Sequence, residues 1–258
     1  MKRVLTAVLL GIPAGWVLFR GQAFLVFAVV ALIAVLAFRE YLTIAGNHEL
    51  RHGGRLGHAA GVLLLAVPHL DVGLVALILM LIFIAALPAP DLATVLPRSA
   101  VLLFGVIYVF AGWRCGLQLH QINPHWLFFA LVVSWIGDAA AFFFGSRFGR
   151  HKLALRISPS KSWEGFVASI AASVVFGVLY LGRFLPQFAL WESIAIAAVA
   201  NLAGQIGDLC ESAIKRGAGV KDSGGMLPGH GGWLDRVDSC LFSMPVVYIW
   251  LSRLSPLR

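Results

Sequence analysis

Trp126-Leu-Phe-Phe-Ala-Leu-Val-Val-Ser-Trp-Ile-Gly-Asp138-Ala-Ala-Ala-Phe-Phe-Phe-Gly145 decides the fold. Twenty residues contain one charge, Asp138. About 20 mostly apolar residues are what an α-helix needs to cross a hydrocarbon core of roughly 30 Å. A carboxylate inside such a run is costly and should face a polar cavity or a partner rather than lipid. The segment therefore reads as a transmembrane helix that carries one functional acid. A helix-packing Asp paired with an Arg is the plainer alternative.

The rest of the chain repeats the pattern. It has 258 residues, 60% hydrophobic and only 12% charged, with a mean hydropathy of +0.88. Globular domains carry about 25% charged residues, so a soluble protein is excluded. Eight further apolar runs are legible: Val4–Phe19, Phe24–Phe38, Ala59–Leu70, Val72–Leu87, Ser99–Leu119, Phe166–Phe184, Ile194–Asp208 and Cys240–Leu251. The expected fold is all-α, a polytopic transmembrane bundle of about nine helices. Ala59–Leu70 is short and contains Pro68; a re-entrant segment, or fusion with the next run, would lower the count by one.

Charge placement orients this bundle. Three Arg and three His lie between Arg39 and His58, and six basic residues lie from Arg147 to Lys161. With nine spans these loops, Lys2-Arg3 and the loop from Lys215 to Arg236 all fall on one side. That side is expected in the cytoplasm, because positive loops stay inside. Arg20, Arg183 and Arg253 fall on the other. The net charge of +8 then belongs to topology and phosphate binding rather than to nucleic acid. Cys115, Cys210 and Cys240 have no CxxC spacing, which excludes a zinc site of that type or a disulfide framework. Lys2-Arg3 and the run after it resemble a signal peptide, but more spans follow, so a retained first helix is expected.

Chemistry concentrates after Trp126. Residues 1–125 read as scaffold helices, and 126–258 as a catalytic region with cytoplasmic loops at 145–165 and 208–238. Gly207 to Asp238 holds five of the twelve acidic residues (Asp208, Glu211, Asp222, Asp235 and Asp238) and four cations (Lys215, Arg216, Lys221 and Arg236). Carboxylates that can hold a hard cation alternate with cations that can hold phosphates, and glycines let backbone N–H groups approach an anion. Asp208 and Glu211, three apart, share a helix face. The loop from Gly145 to Gly165 adds Ser158, Lys161 and Ser162. This Ser/Lys-rich turn opening a helix is expected to present N–H groups to an anion; alone, it would pass for an ordinary basic loop. His230 by itself is more often a hydrogen-bonding loop residue than a base.

Ser212, Lys215-Arg216, Lys221-Asp222, His230-Gly231-Gly232, Asp235-Arg236 and Asp238 are spaced as in the phosphatidate cytidylyltransferases, and this stretch resembles that family. Asp138, Ala141-Phe142, Gly145, Phe148-Gly149 and Ile157-Ser158-Pro159 through Lys161-Ser162 to Glu164-Gly165 resemble its upstream block. Together the blocks cover about residues 134–238. Trp233 replaces an aliphatic residue or Phe, Phe142 a Tyr and Ser160 a Lys, and the last change weakens any phosphate contact there. The resemblance implies that CTP and phosphatidate react to give CDP-diacylglycerol and pyrophosphate. It implies catalytic roles for Asp208, Asp235, Lys215, Lys221, Asp222 and His230. It implies substrate contacts from Lys161, Ser158, Ser162, Arg216, Arg236 and Ser212. Mg²⁺ is expected on Asp208, Asp235, Asp238 and Asp138, with carboxylates enough for a second cation.

Three other readings compete. A polyprenol kinase would use CTP differently. A CDP-alcohol phosphotransferase would need an Asp-Gly-(x)2-Ala-Arg helix motif that the chain lacks. A transporter would use Asp138 and Asp208 as an ion path. The expected setting is a bacterial inner membrane with the active site facing the cytoplasm, and a homodimer is compatible with the sequence.

Overall fold

The computed structural model describes residues 2–46, 54–67, 69, 71–89, 91–226 and 231–254. A helix stands at each of the nine expected runs. In chain order they begin with α1 (Lys2–Arg20), α2 (Ala23–Gly46), α3 (Gly54–Ala66) and α4 (Val72–Ala86). Next, α5 (Val95–Gly105) passes through a π-helical stretch, Val106–Ala111, into α6 (Gly112–Ile122). Then come α7 (Pro124–Phe148), α8 (Trp163–Phe184), α9 (Leu190–Gly217), the one-turn α10 (Leu234–Val237) and α11 (Cys240–Ile249).

Among the described residues, five helical stretches are long and apolar enough to cross a membrane: Ala23–Gly46, Leu92–Ile122, Pro124–Phe148, Trp163–Phe184 and Leu190–Gly217. α3 and α4 are apolar but shorter. α3 stops at Ala66, and Pro68 and Leu70 of the expected run lie outside the described residues. Outward faces carry large apolar side chains, such as Met80 and Phe83 on α4 and Phe142, Phe143 and Phe144 on α7. Lipid accepts such faces and water does not.

Several boundaries differ from the sequence reading, and two of them bear on the candidate residues. α9 does not stop at Asp208 but runs on to Gly217. Asp208, Glu211, Ser212, Lys215 and Arg216 are therefore helical, and the loop expected to begin at 208 begins past Gly217. The loop between α7 and α8 is an antiparallel hairpin of β1 (Lys152–Ala154) and β2 (Ser158–Ser162), paired Lys152 to Ser162 and Ala154 to Ser158. No alternation of apolar residues announces strands this short.

The chain forms two compact units, which divide it by packing rather than by chemical character. The first comprises residues 1–114 and 214–237, the second 115–213 and 238–258. In the first, Phe38 of α2 meets Phe110 edge-on, with centroids 5.3 Å apart. Helix approach depends on glycine here. A Cβ at Gly61 would lie 2.2 Å from the Phe110 ring, and one at Gly105 2.2 Å from the Tyr41 ring. The buried Arg114 guanidinium donates to Leu64 O (2.6 Å) and to Val67 O, satisfying carbonyls that the end of α3 leaves open.

In the second unit α7 packs along α8 and α11, and small polar residues line the contact. Ser173 Oγ donates to Val133 O (2.8 Å) and Ser243 Oγ to Ala130 O (2.8 Å). Asn201 on α9 donates to Ser169 Oγ (3.0 Å), and Gln205 donates to Asn201 Oδ1 (2.9 Å). Buried polar groups of this kind join helices where water is absent.

Candidate active site

Two clusters emerge, one in each unit. In the second unit β2 carries Ser158, Lys161 and Ser162 to the start of α8. Lys161 Nζ reaches Asp208 Oδ2 at 2.6 Å, so the two sequence blocks meet through an ion pair. Ser212 Oγ donates to Asp208 Oδ1 at 3.3 Å, one turn further along α9. Ser158 lies against Ser160 at 3.3 Å. Ser162 is buried and caps α8, its Oγ accepting from Gly165 N (3.2 Å).

The start of α8 is not the open anion cradle expected from the sequence. Trp163 N donates to His151 O (2.9 Å), Gly165 N is taken by Ser162, and the Glu164 carboxylate accepts from the His151 backbone N–H. Folding the loop into a hairpin consumes these donors. Contact with an anion in this turn therefore falls to side chains such as Lys161 and Ser158.

Asp238 completes the second cluster. It is buried, and its Oδ1 accepts from Ser239 N at 2.6 Å. Burial pushes its carboxyl well above the usual carboxylate range. The negative charges of Asp208, Glu211 and Asp138 push it the same way, against the Ser239 hydrogen bond. Ser239 Oγ in turn donates to Asp138 Oδ2 (3.3 Å). Close approach here requires glycine: a Cβ at Gly207 would lie 2.9 Å from Asp238 O. Asp138, Asp208 and Glu211 thus act electrostatically on one buried acid, and all four offer oxygen, the donor type that hard divalent cations take. Among the described residues, no three His, Cys, Asp or Glu side chains converge in ligand geometry.

The first unit holds Lys215, Arg216, Lys221, Asp222, Asp235 and Arg236. Lys215 Nζ donates to Asp235 Oδ1 at 2.5 Å, with side-chain exposures of 11% and 7%. Asp235 Oδ2 also accepts from Ser223 N (3.0 Å) and Gly232 N (2.8 Å). Burial alone would raise the Asp235 pKa; Lys215 and the Gly232 and Ser223 N–H groups outweigh it and hold the carboxyl below its ordinary value. Gly231, at φ +75°, sits where a Cβ would meet Asp235 Oδ2 at 2.6 Å, so the turn needs glycine twice over. Arg216 Nη1 donates to Val220 O (3.1 Å). Lys221, Asp222 and Arg236 are exposed. His230 lies outside the described residues.

One residue went unread in the sequence. Glu40 on α2 is buried at 4% exposure. Its Oε2 accepts from Ser223 Oγ (2.7 Å) and Leu234 N (2.9 Å). The signal was present: Ala37, Tyr41 and Ile44 are buried on α2, and Glu40 falls on that same stripe. Read as the start of a basic loop after Phe38, it passed for a solvated charge.

Comparison with known proteins places the chain in a family. The chain is 40% identical over 153 residues to a phosphatidate cytidylyltransferase of Staphylococcus saprophyticus, and 39% identical over 155 residues to those of Staphylococcus aureus and Staphylococcus haemolyticus. Each alignment covers 59% of this chain and 59% of the relative, so the chain spans under two thirds of the length of the relatives it matches. The profile of the cytidylyltransferase family matches residues 1–254. The chain belongs to the cytidylyltransferase family.

Proposed function

We propose that the protein is a membrane-embedded nucleotidyltransferase that converts CTP and phosphatidate into CDP-diacylglycerol and pyrophosphate. The observation that carries this reading is the Lys161–Asp208 pair, which sets a cation of the kind that holds phosphate against an acid in the C-terminal part of the long apolar helix α9. The name of the Staphylococcus relatives supports it, as does the family.

In the reaction, an ionised phosphate oxygen of phosphatidate attacks the α-phosphorus of CTP. A new P–O bond forms, the bond to the α,β-bridging oxygen breaks, and pyrophosphate leaves with that electron pair. The nucleophile is already charged, so no strong base is required. The protein must bring two anions together and steady the leaving group. Lys161 and Ser158 serve one phosphate group. Lys215, Arg216, Lys221 and Arg236 of the first unit are assigned to the other phosphates. Asp208, Asp238 and Asp138 would hold Mg²⁺, which when bound neutralises phosphate charge. A lipid substrate fits a site on apolar helices, because phosphatidate can enter sideways from the bilayer. The proposed setting is a bacterial inner membrane, with the site on the cytoplasmic side.

The test uses purified protein in detergent with phosphatidate, Mg²⁺ and CTP labelled on the α-phosphate. Label should enter the lipid phase only when phosphatidate and metal are both present. Lipid labelling from γ-labelled CTP alone would replace this reading with a lipid kinase. Silence with both labels would favour transport.

A further inference from the structure

We propose that Glu40 is a positioning residue for the Asp235 loop, acting through Ser223; the proposal rests on the cytidylyltransferase reading above. Glu40 stands on α2 in the N-terminal part of the chain, 183 residues from Ser223 and 194 from Leu234. One carboxylate oxygen receives both the Ser223 hydroxyl and the Leu234 backbone N–H. Glu40 thereby ties Ser223 to Leu234, which flank a glycine-rich segment of the sequence. The same Ser223 places its backbone N–H on Asp235 Oδ2 (3.0 Å), and its Oγ accepts from Asp235 N (3.3 Å). The relay is short: Glu40 fixes Ser223, and Ser223 fixes both the carboxylate and the backbone of Asp235. Asp235 in turn holds Lys215.

The packing is too close to be incidental. A Cβ at Gly232 would lie 2.1 Å from Ser223 Oγ and 2.2 Å from Glu40 Oε2, and one at Gly224 would lie 2.6 Å from Glu40 Oε1. Backbone is folded onto this carboxylate from both sides of the turn. A buried acid is costly unless hydrogen-bonded, and here its donors come from the loop it organises. A carbonyl oxygen can accept two hydrogen bonds, so an amide of the same shape can do this work and a methyl group cannot.

The experiment compares wild type with E40A, E40Q and S223A in detergent, reading two quantities. The first is tryptic cleavage after the exposed Lys221, which reports loop order independently of turnover. The second is the split between kcat and KM for CTP transfer. E40A should speed cleavage at Lys221 at least tenfold and lower kcat at least tenfold with the unfolding midpoint of the bundle retained. E40Q should stay within about threefold of wild type in both. S223A should reproduce E40A in direction, and the E40A/S223A pair should be no worse than E40A alone, as expected of residues acting in one chain of contacts. If E40A gives no inserted protein, S223A, which removes one hydroxyl, carries the same test. Unchanged cleavage and unchanged kcat in E40A or S223A would overturn the proposal, as would full additivity in the pair. Faster cleavage at Lys221 in E40A, alongside a wild-type protein that shows no CTP transfer, would instead retain the Glu40 relay and sink the functional reading.

Discussion

Lys161 and Asp208, on separate segments of the second unit, stand 2.6 Å apart as an ion pair. The pair neutralises an acid that otherwise faces the like charge of Asp238. Both side chains retain some exposure, 23% and 28%, so a phosphate can compete for the lysine and a cation for the aspartate. D208N should lower cytidylyl transfer by at least about 100-fold, the order seen when one electrostatic contact to developing charge is removed. K161A should raise the KM for substrate and lower kcat together. Retained membrane insertion and elution profile show that folding is intact. Near wild-type activity in D208N at low Mg²⁺ would remove Asp208 from the site.

The Lys215–Asp235 pair is more deeply buried and should behave differently. Removing one member of a buried pair strands the other charge, at roughly 3–5 kcal/mol. K215M and D235N should therefore lower the unfolding midpoint as well as activity, whereas K161A should lower activity alone. The pH dependence has a definite sign. Asp235 has a folded pKa below its ordinary value, so its contribution to stability is fully present above about pH 4, the unfolded carboxylate value. It is lost as pH falls from there through the lower folded value. Unfolding midpoints of wild type and D235N should differ most at neutral pH and converge in acid. A constant gap down to pH 3 would contradict the assignment.

Much of this site was legible as chemistry and little of it as geometry. Spacing within 208–238 and 145–165 singled out Asp208, Lys161, Lys215 and Asp235 as candidates, because charges in a chain this apolar are expensive and therefore informative, and the structure joins them in two ion pairs. Partner choice was not legible. Nothing in the sequence says that Lys161 takes Asp208, or that Ser162 caps α8 rather than meeting substrate, since both follow from the hairpin at 152–162. Glu40 was missed for a related reason: a helix end placed at Phe38, well short of Gly46, left a buried acid in the expected loop. The nine helices were read correctly in place because hydrophobic runs set them, while their ends, fixed by caps and packing, moved by up to nine residues at α9.

Glycine at helix contacts gives a prediction that does not involve catalysis. A Cβ at Gly137 would lie 2.0 Å from Asn201 Nδ2 and 2.6 Å from Ser169 Oγ, inside a buried hydrogen-bonded cluster. G137A should displace these side chains and cost about 1–3 kcal/mol, the usual range for overpacking, measured as a lower unfolding midpoint in detergent. G182A is the control: nothing lies within 4 Å of a Cβ there, so its midpoint should not fall. Equal effects at the two positions would mean that α7, α8 and α9 do not approach as described.

Cation binding should be visible without turnover. Asp238 is buried, and the charges of Asp208, Glu211 and Asp138 help to hold its carboxyl well above the usual carboxylate range. A ligand that binds the folded state alone raises stability by mass action, about 2.7 kcal/mol at a hundred times its Kd. Mg²⁺ added to chelator-treated protein should therefore raise the unfolding midpoint in a saturable way. D238N removes an oxygen donor, so it should abolish most of that rise. The metal-free D238N protein should be at least as stable as metal-free wild type, because burial and the neighbouring acids already hold this carboxyl in its uncharged form, which an amide matches in shape. If Mg²⁺ raises the midpoint equally in wild type and D238N, the ion binds elsewhere and the acids serve helix packing.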